Sequence, residues 1–360
     1  MAPYWLMFAL PVMGALSPIS LTSRLRLLAF IIFSFVIVVF VGFRYEVGGD
    51  WPNYLAKYTH ALDGGFSHIF SERSIGYAFI NWISVGLGWG IYGVNTMCAA
   101  IFTVGLSTFC WRQPLSWLAW VVSVPYLIIV VAMGYTAQSI AVGFVLLALC
   151  WLEKKRYLIC IATLLFATLF HKSVIAILPI ILVYPIFTFI TKTSNKKKLR
   201  KTLVWAVPGI VVGAFLLLRY FGSDVFNLVN YYIYRGQWVS GGAYYRLMLS
   251  LIPAILLLSY YREFRESFST ELHWVLFAII IVAFVGLASL STTMVDRLSI
   301  YLMPLQIYVW TRLPLVFENR SVKSLMIFGI VAYHALVLGL WLNYAHHSYS
   351  WVPYSSALFN

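Results

Sequence analysis

Charge is scarce in this chain. Lys, Arg, Asp and Glu make up 10% of its 360 residues and hydrophobic residues 62%, whereas soluble globular domains carry about a quarter charged residues. That balance excludes the soluble globular classes. Acidic residues number 11 against 25 Lys plus Arg. Nucleotide and metal motifs are missing as well: there is no P-loop, no GxGxxG after a strand, no HExxH and no histidine cluster with ligand spacing. His346 and His347 are adjacent, a spacing that does not make a ligand pair, so neither a metal nor a cofactor is expected. The four cysteines, Cys98, Cys110, Cys150 and Cys160, lie in or beside apolar runs without CxxC or Cys/His spacing. They read as small lipid-facing or core-facing residues. No internal repeat or low-complexity tract stands out.

What is present is a series of apolar runs, each about long enough to cross some 30 Å of hydrocarbon as a helix. The expected class is all-α, a polytopic membrane protein forming one integral domain over 1–360. Spans are expected near 4–20, 27–43, 92–111, 114–133, 136–152, 157–171, 174–191, 203–219, 247–261, 272–290, 298–311 and 324–342. These make about twelve, within a range of about 10–13. The first run lacks a basic leader, and Arg24 and Arg26 follow it, which suits a retained span better than a signal peptide. The net charge is +14, and basic residues cluster in short links: "SRLR" (23–26), "EKKR" (153–156), "KTSNKKKLRK" (192–201), "YREFRE" (261–266) and "RLPLVFENRSVK" (312–323). Basic links of this kind mark cytoplasmic loops and attract anionic lipid, so the charge points to a membrane surface and not to nucleic acid. Both chain ends then lie outside. The run at 74–88 is read as a re-entrant or interfacial helix on the external side, because counting it as a span would export "EKKR".

On this topology, polar residues gather at the external ends of spans. The loop at about 44–91 supplies Arg44, Glu46, Asp50, Tyr54, Lys57, Glu72 and Arg73. "MGYTAQ" supplies Tyr135 and Gln138, and "LFHKS" supplies His171 and Lys172. The loop at about 220–246 holds Asp224, Arg235 and Arg246, and "VDRLSIYLMP" holds Asp296, Arg297 and Tyr301. Arg44 and Arg297 sit at hydrocarbon boundaries, where an unpaired charge is costly. Several arginines around one pocket suit phosphate, because the guanidinium fork pairs with its oxygens and stays protonated. Interleaved aromatics offer faces and hydroxyls for sugars, although an interfacial aromatic belt predicts the same enrichment. Glu46 and Lys57 are explained well enough as ordinary loop charges.

The order of "FRYEVGGDWPNYLAKY", "SERSIGYAFINWIS", "MGYTAQSIAVGFVLLAL", "EKKRYLICIATLLFATLFHKSVIAILPI" and "VDRLSIYLMP" resembles the EpsG/Wzy-type polysaccharide polymerases over roughly 40–310. The resemblance implies a GT-C-like helical bundle. It implies a membrane glycosyltransferase that joins undecaprenyl-diphosphate-linked repeat units into O-antigen, capsule or exopolysaccharide at the periplasmic face of a bacterial inner membrane. Partners implied are the lipid-linked donor and acceptor, with a chain-length regulator as a further candidate. Relatives commonly carry Arg-Gln at the "MGYTAQ" turn. Here Ala137 precedes Gln138, so Gln138 carries over and the cationic duty falls on Arg44, Arg235, Arg246 or Arg297.

The reaction needs cations at the departing diphosphate, for which Arg297 and Arg44 lead, with Arg235 and Arg246 in support. It needs a base for the acceptor hydroxyl, which is Asp50 or His171, with Asp50 preferred. Tyr54 and Gln138 are expected to orient sugar hydroxyls, and Tyr301 to bind substrate. A polysaccharide ligase, a lipid-linked oligosaccharide flippase or other transporter, and a membrane acyltransferase stay open as alternatives.

Overall fold

Hydrocarbon offers a backbone no hydrogen-bond partner, so a chain this apolar must satisfy its amides within each segment. The computed structural model describes residues 1–19, 22–183, 243–288 and 292–359, and these are helical, with no strand among them. Helices α1 (Ala2–Leu16), α2 (Ser23–Gly42), α3 (Trp51–Gly64), α4 (Ile75–Gly86), α5 (Gly90–Trp111) and α6 (Ser116–Ser123) follow one another. A π-helical segment, Val124–Ala132, extends α6. After it come α7 (Thr136–Glu153), α8 (Tyr157–Ala167) and a 3₁₀ segment, Lys172–Ile177. The later helices are α9 (Ala243–Ser259), α10 (Tyr261–Phe268), α11 (Leu272–Leu287), α12 (Thr292–Ser299), α13 (Pro304–Val316) and α14 (Arg320–Tyr344).

Fewer segments than expected are long enough to cross a bilayer alone. Among the described residues these are α2, α5, α7 and α14, joined by the α9–α10 pair if its 79° bend is taken as one broken span. Other apolar helices are shorter, including Ala2–Leu16, Ser116–Ala132, Tyr157–Ala167 and Leu272–Leu287. Among the described residues the helix lengths therefore display fewer full spans than there are apolar runs, although most of those runs coincide with helices. The expected span at 203–219, the link at 192–201 and Arg235 lie outside the described residues.

Two of the expected spans are broken. The run at 114–133 changes from α to π geometry at Val124, beside Pro125, which has no amide to donate. The run at 298–311 is split by the 3₁₀ turn Ile300–Leu302, and Pro304 then opens α13 at a position where proline is tolerated. Asp296 and Arg297 thus ride on the separate short helix α12. At twelve residues, α4 is about 18 Å long, too short to cross 30 Å of hydrocarbon.

The core is built on α5 and α7, whose backbones touch at Gly105 and Gly143. A Cβ on Gly105 would fall 2.1 Å from the Gly143 carbonyl oxygen, and one on Gly143 would fall 2.9 Å from the Phe102 Cα. Small residues allow such close crossing in membranes, where helices gain little from the hydrophobic effect and depend on packing.

The bundle has two chemically different ends. Near one end Arg26 lies 4.3 Å over the ring of Trp111, and Arg112 donates to the Cys150 carbonyl at 2.7 Å. Arg312 donates to Gln113 Oε1 at 2.6 Å and lies 3.9 Å over Tyr308. Basic links far apart in sequence therefore share one end. At the other end the two chain termini meet, with the Tyr4 hydroxyl donating to the Trp351 carbonyl at 2.5 Å, and the 43–50 loop lies beside them.

The Gly105 contact makes a direct prediction. Gly105→Val should destabilise the protein by about 1–3 kcal/mol or more through overpacking, whereas Gly86→Ala, where an added Cβ meets nothing within 4 Å, should be neutral. Thermal unfolding in detergent checks the pair, and equal stability of the two variants would refute the crossing.

Candidate functional site

The loop after α2 is organised by a buried guanidinium. Arg44 is 1% exposed. Its Nε donates to the Val47 carbonyl at 3.1 Å and one terminal nitrogen to the Val41 carbonyl at 2.6 Å. The other donates to Asn95 Oδ1 at 3.1 Å and to Thr136 Oγ1 at 2.8 Å. Burial pulls this arginine down to about 10, with the nearby Tyr77, Cys98, Tyr54 and Tyr354 opposing the shift, so it remains cationic at neutral pH. It ties the end of α2 to α5 and to the start of α7, underneath the surface. The expectation that Arg44 faces a diphosphate does not match this placement, because its donors point at protein acceptors.

Gly48 follows, at φ +111, in the region open to glycine. A Cβ there would lie 2.4 Å from the Met133 carbonyl oxygen, so the loop is pressed onto the 133–138 turn. Asp50 then precedes α3, which starts at Trp51 with Pro52 in its first turn. The Asp50 carboxylate is half-buried and accepts a 3.4 Å hydrogen bond from Asn53. Burial raises its pKa, and Asn53, Arg297 and Lys57 oppose the rise. One turn on, the Tyr54 amide bonds the Asp50 carbonyl at 3.0 Å. The Tyr54 hydroxyl accepts from the Ala137 amide at 3.2 Å. Tyr54 is buried and holds the turn at Ala137; that is a different task from the sugar contact expected for it.

The remaining segments close around this loop. Gln138, in the first turn of α7, donates to the Arg297 carbonyl at 3.1 Å. Nδ1 of His171, in the turn after α8, is 2.7 Å from the Tyr301 hydroxyl. Burial, then the charges of Arg297, Arg73 and Lys57, push His171 down to about 3, so its imidazole is neutral at ordinary pH. Arg246 makes a 2.6 Å ion pair with Asp296 and donates to the Tyr135 hydroxyl at 3.2 Å. It therefore joins α9 to α12 and to the 133–138 turn.

Asp50, Tyr54, Gln138, His171, Arg246, Arg297 and Tyr301 are thus gathered at one end of the bundle, from the five separate segments expected. Arg44 lies beneath them, and Arg235 falls outside the described residues. Among the described residues no group of three or more His, Cys, Asp or Glu side chains comes together as a metal cage.

Two further cations belong to the cluster. Arg73 stands just before α4, whose Gly76 amide bonds the Leu169 carbonyl at 2.9 Å and whose start packs on Phe170, next to His171. Lys57 lies 5.5 Å over the Tyr54 ring and 5.8 Å over that of Tyr77. From the sequence Lys57 reads as a loop charge and, with Arg44, as a neighbour that keeps Asp50 ionised. The i+3 spacing of Lys57 from Tyr54 on a helix was the available signal for a shared face.

Neither the curated proteins nor the solved structures hold a significant match to this chain. The EpsG family model matches residues 27–356, which includes every residue of the cluster. The chain is a membrane-embedded member of the EpsG family.

Proposed function

We propose that the protein is a glycosyltransferase that polymerises undecaprenyl-diphosphate-linked oligosaccharide repeat units at the periplasmic face of a bacterial inner membrane. Family membership supports a membrane polysaccharide polymerase in general. The observation that carries the finer reading is the convergence of Asp50 and a neutral His171–Tyr301 pair with Arg297, Arg73 and Lys57 at one end of the bundle. The opposite end carries basic links that lie among the described residues, and the positive-inside rule assigns such links to the cytoplasm.

The growing chain is the donor and a new lipid-linked unit is the acceptor. The acceptor hydroxyl oxygen bonds to the donor C1 as the bond from C1 to the diphosphate oxygen breaks. The bonding electrons leave with the diphosphate, and the hydroxyl proton passes to the Asp50 carboxylate. Negative charge grows on the leaving group, so preorganised cations stabilise the transition state. Arg297 is exposed and takes that role, supported by Arg73 and Lys57, whose charges also act on His171. Arg246, already paired with Asp296, and the buried Arg44 position the elements around it. Asp50 is preferred as base because its raised pKa strengthens it as a proton acceptor. The depressed pKa of His171 makes the imidazole a weak one. Gln138 and the His171–Tyr301 pair orient sugar hydroxyls.

Arg297→Ala should leave single lipid-linked repeat units while lowering chain elongation by about 10²–10³-fold, the usual cost of removing one oxyanion-type donor. Full-length polymer on a gel would remove Arg297 from the mechanism. A deletion strain that loses all attached sugar, instead of the ladder alone, would favour a ligase or flippase.

Arg44→Ala should behave differently. It strands Asn95, Thr136 and two carbonyls inside the protein, a loss on the order of 3 kcal/mol or more. The expected readout is a fall in the amount of folded protein in the membrane, which Arg297→Ala does not share. Normal accumulation of Arg44→Ala with lost activity would return Arg44 to the substrate.

A base must be ionised, so elongation should fall as pH drops through an apparent pKa above that of a free aspartate. Asp50→Asn should abolish elongation on both sides of that pKa. A pH-rate profile without that acid limb would exclude Asp50 as base.

A further inference from the structure

The last residues of the chain do not trail away from α14. They turn back across the site end and bond to the loop that carries Asp50. The Gly48 amide donates to the Ser350 carbonyl at 2.8 Å and the Tyr45 amide to the Ser355 carbonyl at 3.0 Å. The Ala357 amide donates to the Phe43 carbonyl at 2.8 Å. Arg44 and Ser356 form an isolated antiparallel bridge. Tyr354 donates to the Phe40 carbonyl at 2.9 Å and stacks on the Phe40 ring, with 4.5 Å between centroids. The result is a strap laid over residues 40–48.

One side chain of the strap goes deeper. Trp351 is 3% exposed, and its indole nitrogen donates to the Ile129 carbonyl, inside the π-helical segment, at 2.9 Å. The outer edge of its six-membered ring faces two glycines from different segments. A Cβ on Gly134 would fall 2.7 Å from Cζ2, and one on Gly49 3.6 Å from Cζ3. Gly49 adjoins Asp50, and Gly134 opens the turn that leads to Gln138. The ring therefore stands between the segment bearing the carboxylate and the segment whose Gln138 is bonded to the Arg297 carbonyl.

We propose that the C-terminal strap is a positioning element of the active site, with Trp351 as the wedge that sets Asp50 against the Gln138 turn. The mechanical part follows from packing alone; the catalytic consequence rests on the polymerase reading above. Backbone hydrogen bonds hold the strap to the loop, and the indole edge sets the spacing, because glycine at 49 and 134 leaves room for a ring and for nothing more on the Gly134 side. Trp351 touches no reacting atom in this scheme. It acts through Gly49 and Gly134.

Trp351→Phe removes the outer ring atoms that face both glycines together with the bond to Ile129. Gly134→Ala pushes the intact indole out of place. Two measurements on full-length protein in lipid nanodiscs test the assignment. In amide hydrogen exchange, residues 43–51 of Trp351→Phe should exchange at least tenfold faster than in the wild type while α5 and α7 stay protected. Unchanged exchange in the loop overturns the strap whatever the reaction is.

In elongation of a lipid-linked repeat unit, each single variant should lower kcat at least fivefold with KM within twofold. The acid limb of Trp351→Phe should move towards the pKa of a free aspartate as Asp50 gains water. The double variant Trp351→Phe/Gly134→Ala should regain activity over Gly134→Ala, because the smaller ring leaves space for the added methyl. Effects that simply multiply overturn the wedge. If Trp351→Phe fails to accumulate, Gly134→Ala alone carries both measurements. A wild type that elongates nothing refutes the polymerase reading, and the exchange measurement still decides the strap.

Discussion

The site end of this protein depends on one buried cation. Arg44 sits where α2 leaves the hydrocarbon, and it reaches oxygens on α2, on its own loop, on α5 and on α7. A guanidinium taken out of water is tolerated only when its donors are met, so the ends of these helices must hold a fixed arrangement around it. Planar, forked geometry suits arginine to such a junction, where a lysine would offer a point charge. Everything above it, Asp50 first among them, inherits its position from that junction.

Cationic duties are divided in consequence. Arg44 and Arg246 are engaged with protein acceptors and organise the walls. Arg297, Arg73 and Lys57 shape the potential in which His171 and Asp50 titrate. All three add to the burial that keeps the His171 imidazole neutral, and Arg297 and Lys57 limit the rise that burial imposes on the Asp50 carboxyl. An anion with several oxygens is the ligand such a field favours.

Glycines determine how closely these parts approach. Gly105 and Gly143 let α5 and α7 cross backbone to backbone, which aligns the start of α7, and therefore Thr136 and Gln138, with the 43–50 loop. Gly48 allows that loop to lie on Met133, and Gly134 admits the Trp351 ring. The π-helical carbonyl of Ile129 finds its donor on Trp351, more than two hundred positions away in sequence. The fold thus accepts an irregular helix at a place where another segment completes its hydrogen bonding.

The helical membrane character, most of the described helix positions, the gathering of the described basic links at one end and the convergence of distant polar turns at the other could all be read from the residues. Those features follow from local rules: apolar run length, positive charge in links, and the cost of charge near hydrocarbon. Side-chain duties could not be read in this way. Arg44 looked like a substrate ligand because a cation at a hydrocarbon edge has two remedies, a ligand or protein acceptors, and Asn95 and Thr136 are 51 and 92 positions distant. Tyr54 likewise met the Ala137 amide, 83 positions on. Span continuity at 114–133 and 298–311 also escaped the hydropathy pattern, since composition does not register where backbone hydrogen bonding is interrupted. Local composition was enough to make this chain a membrane helical bundle with a polar end. Which cation is buried, which tyrosine hydroxyl meets the Ala137 amide and where the Trp351 ring lodges were decided by tertiary packing, because burial and hydrogen-bond partnership belong to pairs of residues far apart in the chain.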